Sequence, residues 1–377
     1  MIRHIIHPDP DGGPWYHRAG CAAPKLNDNR GVALILTLVV VSLLISGALA
    51  LNRKARATVV MSAAIRDRSK ASHMAASGIE LGMAILAADK KASEIDSLQE
   101  DWADPEWLKA LAAGIAFDEG TLTIRISDER ARIQVNALVD FPDGKHMDER
   151  QQGVWDRFLR QMISRDDAFE QIEVPPIIDC AKDWLDSGDD DMTTGLNGAE
   201  ADYYQNLDPP YSCSNGPFRR LSELLLVKGM TPALYYGIEN QPGISAYMTA
   251  DGVAAAQGAA DLWDGKININ TAELPVLAAL LPSEDEDLAQ SIVDYRSEMS
   301  DGAFVHDLSQ NNWYQNAPGC GDVSIDAKLA ATSSNLFRIQ ARAGLNGLQQ
   351  TITAVVQREK ETDTGRWTCR IRRWRQE

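Results

Sequence analysis

Residues 32–51, VALILTLVVVSLLISGALAL, run for twenty positions without a charged side chain. A helix rises about 1.5 Å per residue, so a run of about 20 apolar residues spans the hydrocarbon core of a bilayer. This segment therefore reads as one membrane-crossing helix. A polar leader, residues 1–31, precedes it and ends KLNDNRG. Beyond residue 51, Ala, Met, Ile and Leu recur at helical spacing without a Pro as far as about Ala88. The pattern predicts a single long helix whose first half is in the membrane and whose second half is amphipathic. Gly47 falls in the first half, and Gly78 and Gly82 fall in the second.

The rest of the 377-residue chain is long enough for two or three domains with a sizeable core. Its formal net charge of −17 argues against nucleic acid as a partner, because phosphate contacts need basic patches. The same balance suits an exported soluble body or a binder of divalent cations.

Secondary-structure signals are strongest at the two ends of this body. Trp102-Ala103-Asp104-Pro105 breaks the helical pattern. GTLTIRISDERARIQVNAL, residues 120–138, alternates Leu122, Ile124 and Ile126, then Ile133 and Val135, around a polar Asp-Glu pair. That predicts a hairpin with one buried face. NLFRIQARAGLNGLQQTITAVVQREK predicts a second hairpin with Asn346-Gly347 as its turn, and RWTCRIRRW a last strand. Between them lies a mostly helical insertion, about residues 140–332.

Two insertion segments, residues 218–238 and 266–296, share a plan of helix, turn and helix, like the helix-hairpin-helix units of small DNA-binding domains. Such units bring backbone N–H groups and basic side chains to a phosphate. Here the second turn is Ser283-Glu284-Asp285-Glu286-Asp287, which repels one. The units read as structural packing.

DSGDDDMTTGLNGAEAD, residues 186–202, gathers six carboxylates without a Lys or Arg. From Asp189 its spacing resembles a twelve-residue calcium loop: Asp189, Asp191, Thr193, the Gly195 carbonyl, Asn197 and Glu200, with Asp186 and Asp202 in reserve. Thr194 stands where such loops place a Gly. Oxygen donors without His or Cys favour a hard cation, Ca2+, in a structural role. No Ser, His or Asp arrangement, P-loop or tuned carboxylate pair points to catalysis, so a non-enzymatic protein is expected.

The junction Arg30-Gly31-Val32 places a basic residue and a Gly directly before the apolar run. This resembles the processing site of type IV prepilins and type II secretion pseudopilins, where a prepilin peptidase cuts after the Gly. The resemblance implies cleavage between Gly31 and Val32. It also implies a cytoplasmic N-terminus, although Arg53, Lys54, Arg56, Arg66, Arg68 and Lys70 outnumber the leader's Arg3, Arg18, Lys25 and Arg30. Motif and positive-inside rule disagree, and the motif is followed. Loss of the leader removes Cys21 and leaves Cys180, Cys213, Cys320 and Cys369 in an oxidising compartment. Cys180 and Cys213 flank the acid loop and could staple it, with Cys320 and Cys369 as a second pair. Four cysteines permit three pairings, and sequence does not choose among them.

In order along the chain, Arg30-Gly31-Val32-Ala33-Leu34, Arg132-Ile133-Gln134-Val135-Asn136-Ala137, Asp183-Trp184-Leu185-Asp186, Gly198-Ala199-Glu200-Ala201-Asp202-Tyr203-Tyr204, residues 218–230 and Ile267-Asn268-Ile269-Asn270-Thr271-Ala272 resemble the K component of type II secretion systems, the largest minor pseudopilin. The resemblance implies an α+β pseudopilin fold: a long N-terminal helix on an antiparallel sheet, with a large helical insertion containing helix-hairpin-helix or SAM-like units. The implied boundaries are leader 1–31, transmembrane half-helix 32–51, pilin-like helix and first strands 52–139, insertion 140–332 and closing strands 333–377.

Most pilin-like subunits carry Glu at the fifth mature position, where it pairs with a neighbour's N-terminal amine. Here that position is Leu36. A subunit lacking the Glu suits the pseudopilus tip, with the I and J minor pseudopilins as partners, in the inner membrane with a periplasmic body. The expected role is to initiate pseudopilus assembly and help export folded proteins across the outer membrane. The alternative is a membrane-anchored, calcium-dependent periplasmic binding or adhesion module.

Overall fold

In the computed structural model, residues 30–115, 117, 119–141, 144–186, 193–254 and 261–377 are described. Helix α1 spans Arg30–Ala92, as the unbroken Pro-free pattern predicts. The chain divides into two units, Met1–Ala64 and Ile65–Glu377. In the first, the side chains of residues 32–51 are all exposed, among them Leu36 at 63%. The hydroxyls of Thr37 and Thr58 bond back to the carbonyls of Leu34 and Lys54, so these polar groups are satisfied within the helix.

In the second unit, α1 buries Ala71, Met74, Ala75, Ile79 and Leu86 against a four-stranded antiparallel sheet. Its strands, in spatial as well as chain order, are β1 (Thr121–Asp128), β2 (Leu336–Leu345), β3 (Leu348–Lys360) and β4 (Trp367–Gln376). Ile126, Ile339 and Ala354 lie opposite one another across three strands, as do Ile124, Ala341 and Ile352, and all face the helix. Each fully buried Ile contributes about 1.5–3 kcal/mol. The β2–β3 turn is the expected Asn346-Gly347, both residues left-handed with φ 50° and 80°. Helix α2 (Pro105–Ala113) starts where Asp104 caps Glu106 N and Pro105 occupies the first turn.

The predicted hairpin over residues 120–138 does not form. Thr121–Asp128 pairs with β2, whereas Ile133-Gln134 pairs in parallel with Met248-Thr249. The intervening Asp-Glu pair is not an exposed turn. Asp128 is 4% and Glu129 0% exposed. Glu129 Oε1 accepts bonds from Thr249 Oγ1 and Arg338 Nη2, both at 2.6 Å. The chain therefore leaves the sheet at Asp128, and Ile133, Val135 and Leu138 join a second core, upstream of the expected boundary at residue 140.

That second core belongs to the connection between β1 and β2. It contains α3 (Glu149–Ile163), α4 (Val174–Leu185), α5 (Ala201–Gln205), α6 (Pro232–Tyr236), α7 (Leu274–Leu280) and α8 (Ala289–Ser297). The second predicted helix–turn–helix is α7 and α8. In the first, Leu221–Leu226 is a 3-10 helix rather than an α-helix, followed by α6. Three asparagines of the quoted motifs, all 0% exposed, are structural ties. Asn136 bonds the backbone of Phe218 and Ala250, and Asn268 donates to Asp96 O and Asp128 Oδ2. Asn270 accepts from Trp313 Nε1 and donates to Thr332 O. Arg358, 1% exposed, clamps the end of α1 to the sheet through Leu86 O, Asp89, Asp96 and Ser334 O.

Candidate metal centre in the acidic loop

Helix α4 begins with Val174-Pro175-Pro176, which supplies the Pro its first turn favours. It buries Ile177, Ile178, Ala181, Trp184 and Leu185. Trp184 stacks on Phe218 at 6.3 Å and meets the Tyr204 ring edge-on at 5.2 Å. This packing fixes the C-terminal turn, from which Asp183 and Asp186 meet Glu200. The three carboxylates are buried, with ligand oxygens all within 4.8 Å of one another.

The loop backbone wraps Asp183. Its Oδ1 and Oδ2 accept from Thr194 N at 3.0 and 3.2 Å, and Oδ2 accepts from Ala199 N at 2.8 Å. Position 198 must be Gly, because a Cβ there would lie 2.1 Å from Asp183 Oδ2. Lys182 Nζ reaches Asp186 Oδ2 at 2.5 Å and offsets part of the charge. Burial raises the pKa of Asp183 against these hydrogen bonds and Lys182. Three converging oxygen donors without sulfur or nitrogen fit a hard divalent cation, which takes carboxylate ligands and tolerates irregular geometry.

A second carboxylate group, Asp89, Asp96 and Glu100, differs chemically. Arg358 bonds Asp89 and Asp96, Lys90 lies 3.5 Å from Asp96, and Glu100 Oε2 accepts from Ser97 N and Trp102 Nε1. Protein donors already serve these oxygens, so this is an ion-pair lock.

Of the candidate ligands, Glu200, from the twelve-residue spacing, and Asp186, held in reserve, converge. Asp189 and Asp191 lie outside the described residues. Asn197 and Asp202 are exposed, and the Asn197 carbonyl accepts from Cys180 Sγ and Lys228 Nζ, each at 3.2 Å. The loop reading missed Asp183. Its signal was the helical i,i+3 spacing to Asp186, obscured because Asp183 precedes the acidic run.

The four expected disulfide cysteines are free thiols in this structure. Cys320 belongs to the insertion core, whereas Cys369 packs with Met83 beside the helix–sheet core, which separates that proposed pair. Cys180 and Cys213 both lie beside the acidic site, bonding Asn197 O and Asp183 O respectively, but not each other. Burial pushes their thiols up to about 12 and about 11. Gly31, Val32 and Leu36 fall in the first turns of α1 and are exposed.

Two family models described as type II secretion system (T2SS), protein K, match residues 131–249 and 267–311. A type II secretion system protein K from Pseudomonas aeruginosa is 28% identical over 337 residues, 88% of this chain and 89% of the relative. One from Klebsiella pneumoniae is 26% identical, covering 68% of this chain and 71% of the relative. Among solved structures, a chain of the GspK-GspI-GspJ complex from the enterotoxigenic Escherichia coli type 2 secretion system matches with a TM-score of 0.57. That match covers 84% of this chain and 99% of the other at 17% identity, a likeness of fold.

Proposed function

We propose a tip role for this chain, which belongs to the type II secretion system protein K family: it is a non-enzymatic minor pseudopilin that caps the pseudopilus, initiates its assembly and aids export of folded proteins across the outer membrane. The observation that carries this reading is the β1–β2 connection. It inserts a second hydrophobic core, from Ile133 to Leu329, into a sheet small enough to repeat along a filament. Such a body is sterically awkward within a shaft and has room at an end. Leu36 agrees with it, because a subunit with nothing above it needs no carboxylate for a neighbour's amine, and an unpaired charge in lipid is costly.

In this reading α1 anchors the chain once in the inner membrane after prepilin peptidase removes the leader, and the body faces the periplasm. Its partners are the I and J components, by analogy with the relative solved as GspK-GspI-GspJ. The test is co-purification of the full chain with the I and J pseudopilins of the same cell. The expected outcome is a stable complex with wild type and a depleted one with Leu36→Glu. Normal assembly of Leu36→Glu removes the argument from the fifth position, and absence of any complex removes the tip role.

We propose further that Asp183, Asp186 and Glu200 hold a structural Ca2+ that pins the acidic loop to α4. A bound cation at a hundredfold excess over its Kd stabilises a fold by about 2.7 kcal/mol. A chelator is expected to lower the Tm of wild type and to leave that of Glu200→Ala unchanged. An unaltered wild-type Tm means that no structural cation is present.

A further inference from the structure

A cavity of about 290 Å3 opens beside the first turn of α3. Ligand pockets run from about 300 to 1,000 Å3, so this one is sized for a single ring. Its walls are residues 137–141, the start of α3 and residues 263–266. These segments are tied to one another. Gln151, 4% exposed, donates from Nε2 to Gly265 O at 3.1 Å, and Asp148 caps α3 by accepting from Arg150 N and Gln151 N. A Cβ at position 265 would lie 2.1 Å from Gln151 Nε2, so the approach requires Gly. The cavity is thus pre-organised, and a ligand need not order its walls.

The lining joins an aromatic wall to polar groups that carry no net charge. Trp263 and Phe141, both half-buried, meet edge-on at 5.2 Å. The one polar atom of the Trp263 side chain, Nε1, is buried, so the part of the ring that reaches the surface is hydrocarbon. Among the described residues, Asp140, Asp148 and Asp264 balance Arg150, Lys266 and Lys328 around the space. Asp264 is held by Arg130, with both oxygens at 2.6 Å, and Asp148 by Arg150 at 3.1 Å. Lys266 and Lys328 enter no ion pair among the described residues, which leaves two ammonium groups as donors. Asp140 holds His146 N with Oδ1 and offers Oδ2 as an acceptor.

We propose that this cavity binds a neutral pyranose sugar, its C–H face on Trp263 and its hydroxyls on Lys266, Lys328 and Asp140. An aromatic face is electronegative and receives the polarised C–H groups of a sugar ring. Donors and acceptors side by side suit hydroxyl groups, each of which both gives and takes a hydrogen bond. An anion is disfavoured, because Asp148 already occupies the N-terminus of α3 and two more carboxylates line the space.

Ligand-observed NMR titration of the full chain in a sugar-free detergent tests the proposal, with methyl β-glucopyranoside as probe. Sorbitol has the hydroxyls without the ring, and glucuronate adds a negative charge. Saturable binding of the glucoside is expected, with saturation transfer strongest at its ring C–H protons. Sorbitol and glucuronate should each bind at least tenfold more weakly. Trp263→Ala should weaken the glucoside at least tenfold while keeping the wild-type circular dichroism spectrum. Lys328→Ala, at an exposed position, should weaken it at least threefold, and it decides the matter where Trp263→Ala loses that spectrum. The proposal is overturned by no saturable glucoside binding to wild type, by sorbitol or glucuronate binding as well as the glucoside, or by either folded variant binding as wild type does.

Discussion

Asp89 shows how burial can outweigh a favourable partner at a single residue. Its Oδ2 lies 3.1 Å from Arg358 Nη1. Yet burial, with the negative charges of Glu100 and Asp96, raises its pKa from 3.8 to about 7. A carboxyl raised in the fold holds its proton more tightly folded than unfolded. Its contribution to stability is therefore complete below the ordinary value near 3.8 and is lost as pH rises through about 7. Asp89→Asn keeps an acceptor for Arg358 and carries no charge at any pH. Its urea midpoint is expected to exceed that of wild type at pH 8, and the two should converge towards pH 4. A variant less stable than wild type at pH 8 contradicts this account.

Individual residues were unevenly legible in the sequence. Asn346-Gly347 announced its own conformation, because a two-residue hairpin turn needs positive φ at both positions. Asp128-Glu129 announced a turn and is instead a buried junction. Local polarity cannot reveal that Thr249 and Arg338, more than a hundred residues away, supply donors to Glu129.

At the scale of elements, α1 sits tightly on the sheet. A Cβ at Gly78 would lie 2.8 Å from Ala341 Cβ, and one at Gly82 would lie 2.8 Å from Ile339 Cγ2. Glycine is a poor helix former, yet in the fold these two let the helix sit down on β2. Ala341 Cβ is fixed to the backbone and cannot swing aside, so Gly78→Ala must move the helix or the strand. The expected loss is about 1–3 kcal/mol from overpacking, reduced by about 1 kcal/mol of helix propensity. Gly321, which has nothing within 4 Å of its Cβ position, is the matched control, and Gly321→Ala should be neutral. Equal urea midpoints for the two variants would show that the approach is not tight.

The acidic loop follows the same logic. Spacing found Glu200 and kept Asp186 in reserve, because the loop itself carries them, but it missed Asp183, which α4 delivers from the preceding turn.

For the whole molecule, the decisive boundary is the start of the mature chain. The proposed cleavage between Gly31 and Val32 would leave a protein that begins within α1 at its apolar half, with Leu36 fifth. Terminal sequencing of protein from the native membrane is expected to begin at Val32. A start elsewhere removes both the processing assignment and the argument from Leu36. Most of the body's organisation lies in one long connection. β1 and β2 are neighbours from Thr121↔Gly344 to Asp128↔Phe337, although more than two hundred residues separate them in the chain.

Short-range physics is what the sequence determined by itself: the Pro-free apolar helix, the closing hairpin with its Asn-Gly turn and the last strand. Helical periodicity and turn chemistry act over a few residues and can be read there. Tertiary structure alone decided which strand β1 joins, where the chain leaves the sheet, which thiols stay apart and which carboxylates meet. Each of these depends on groups distant in sequence, brought together by the burial of two separate cores.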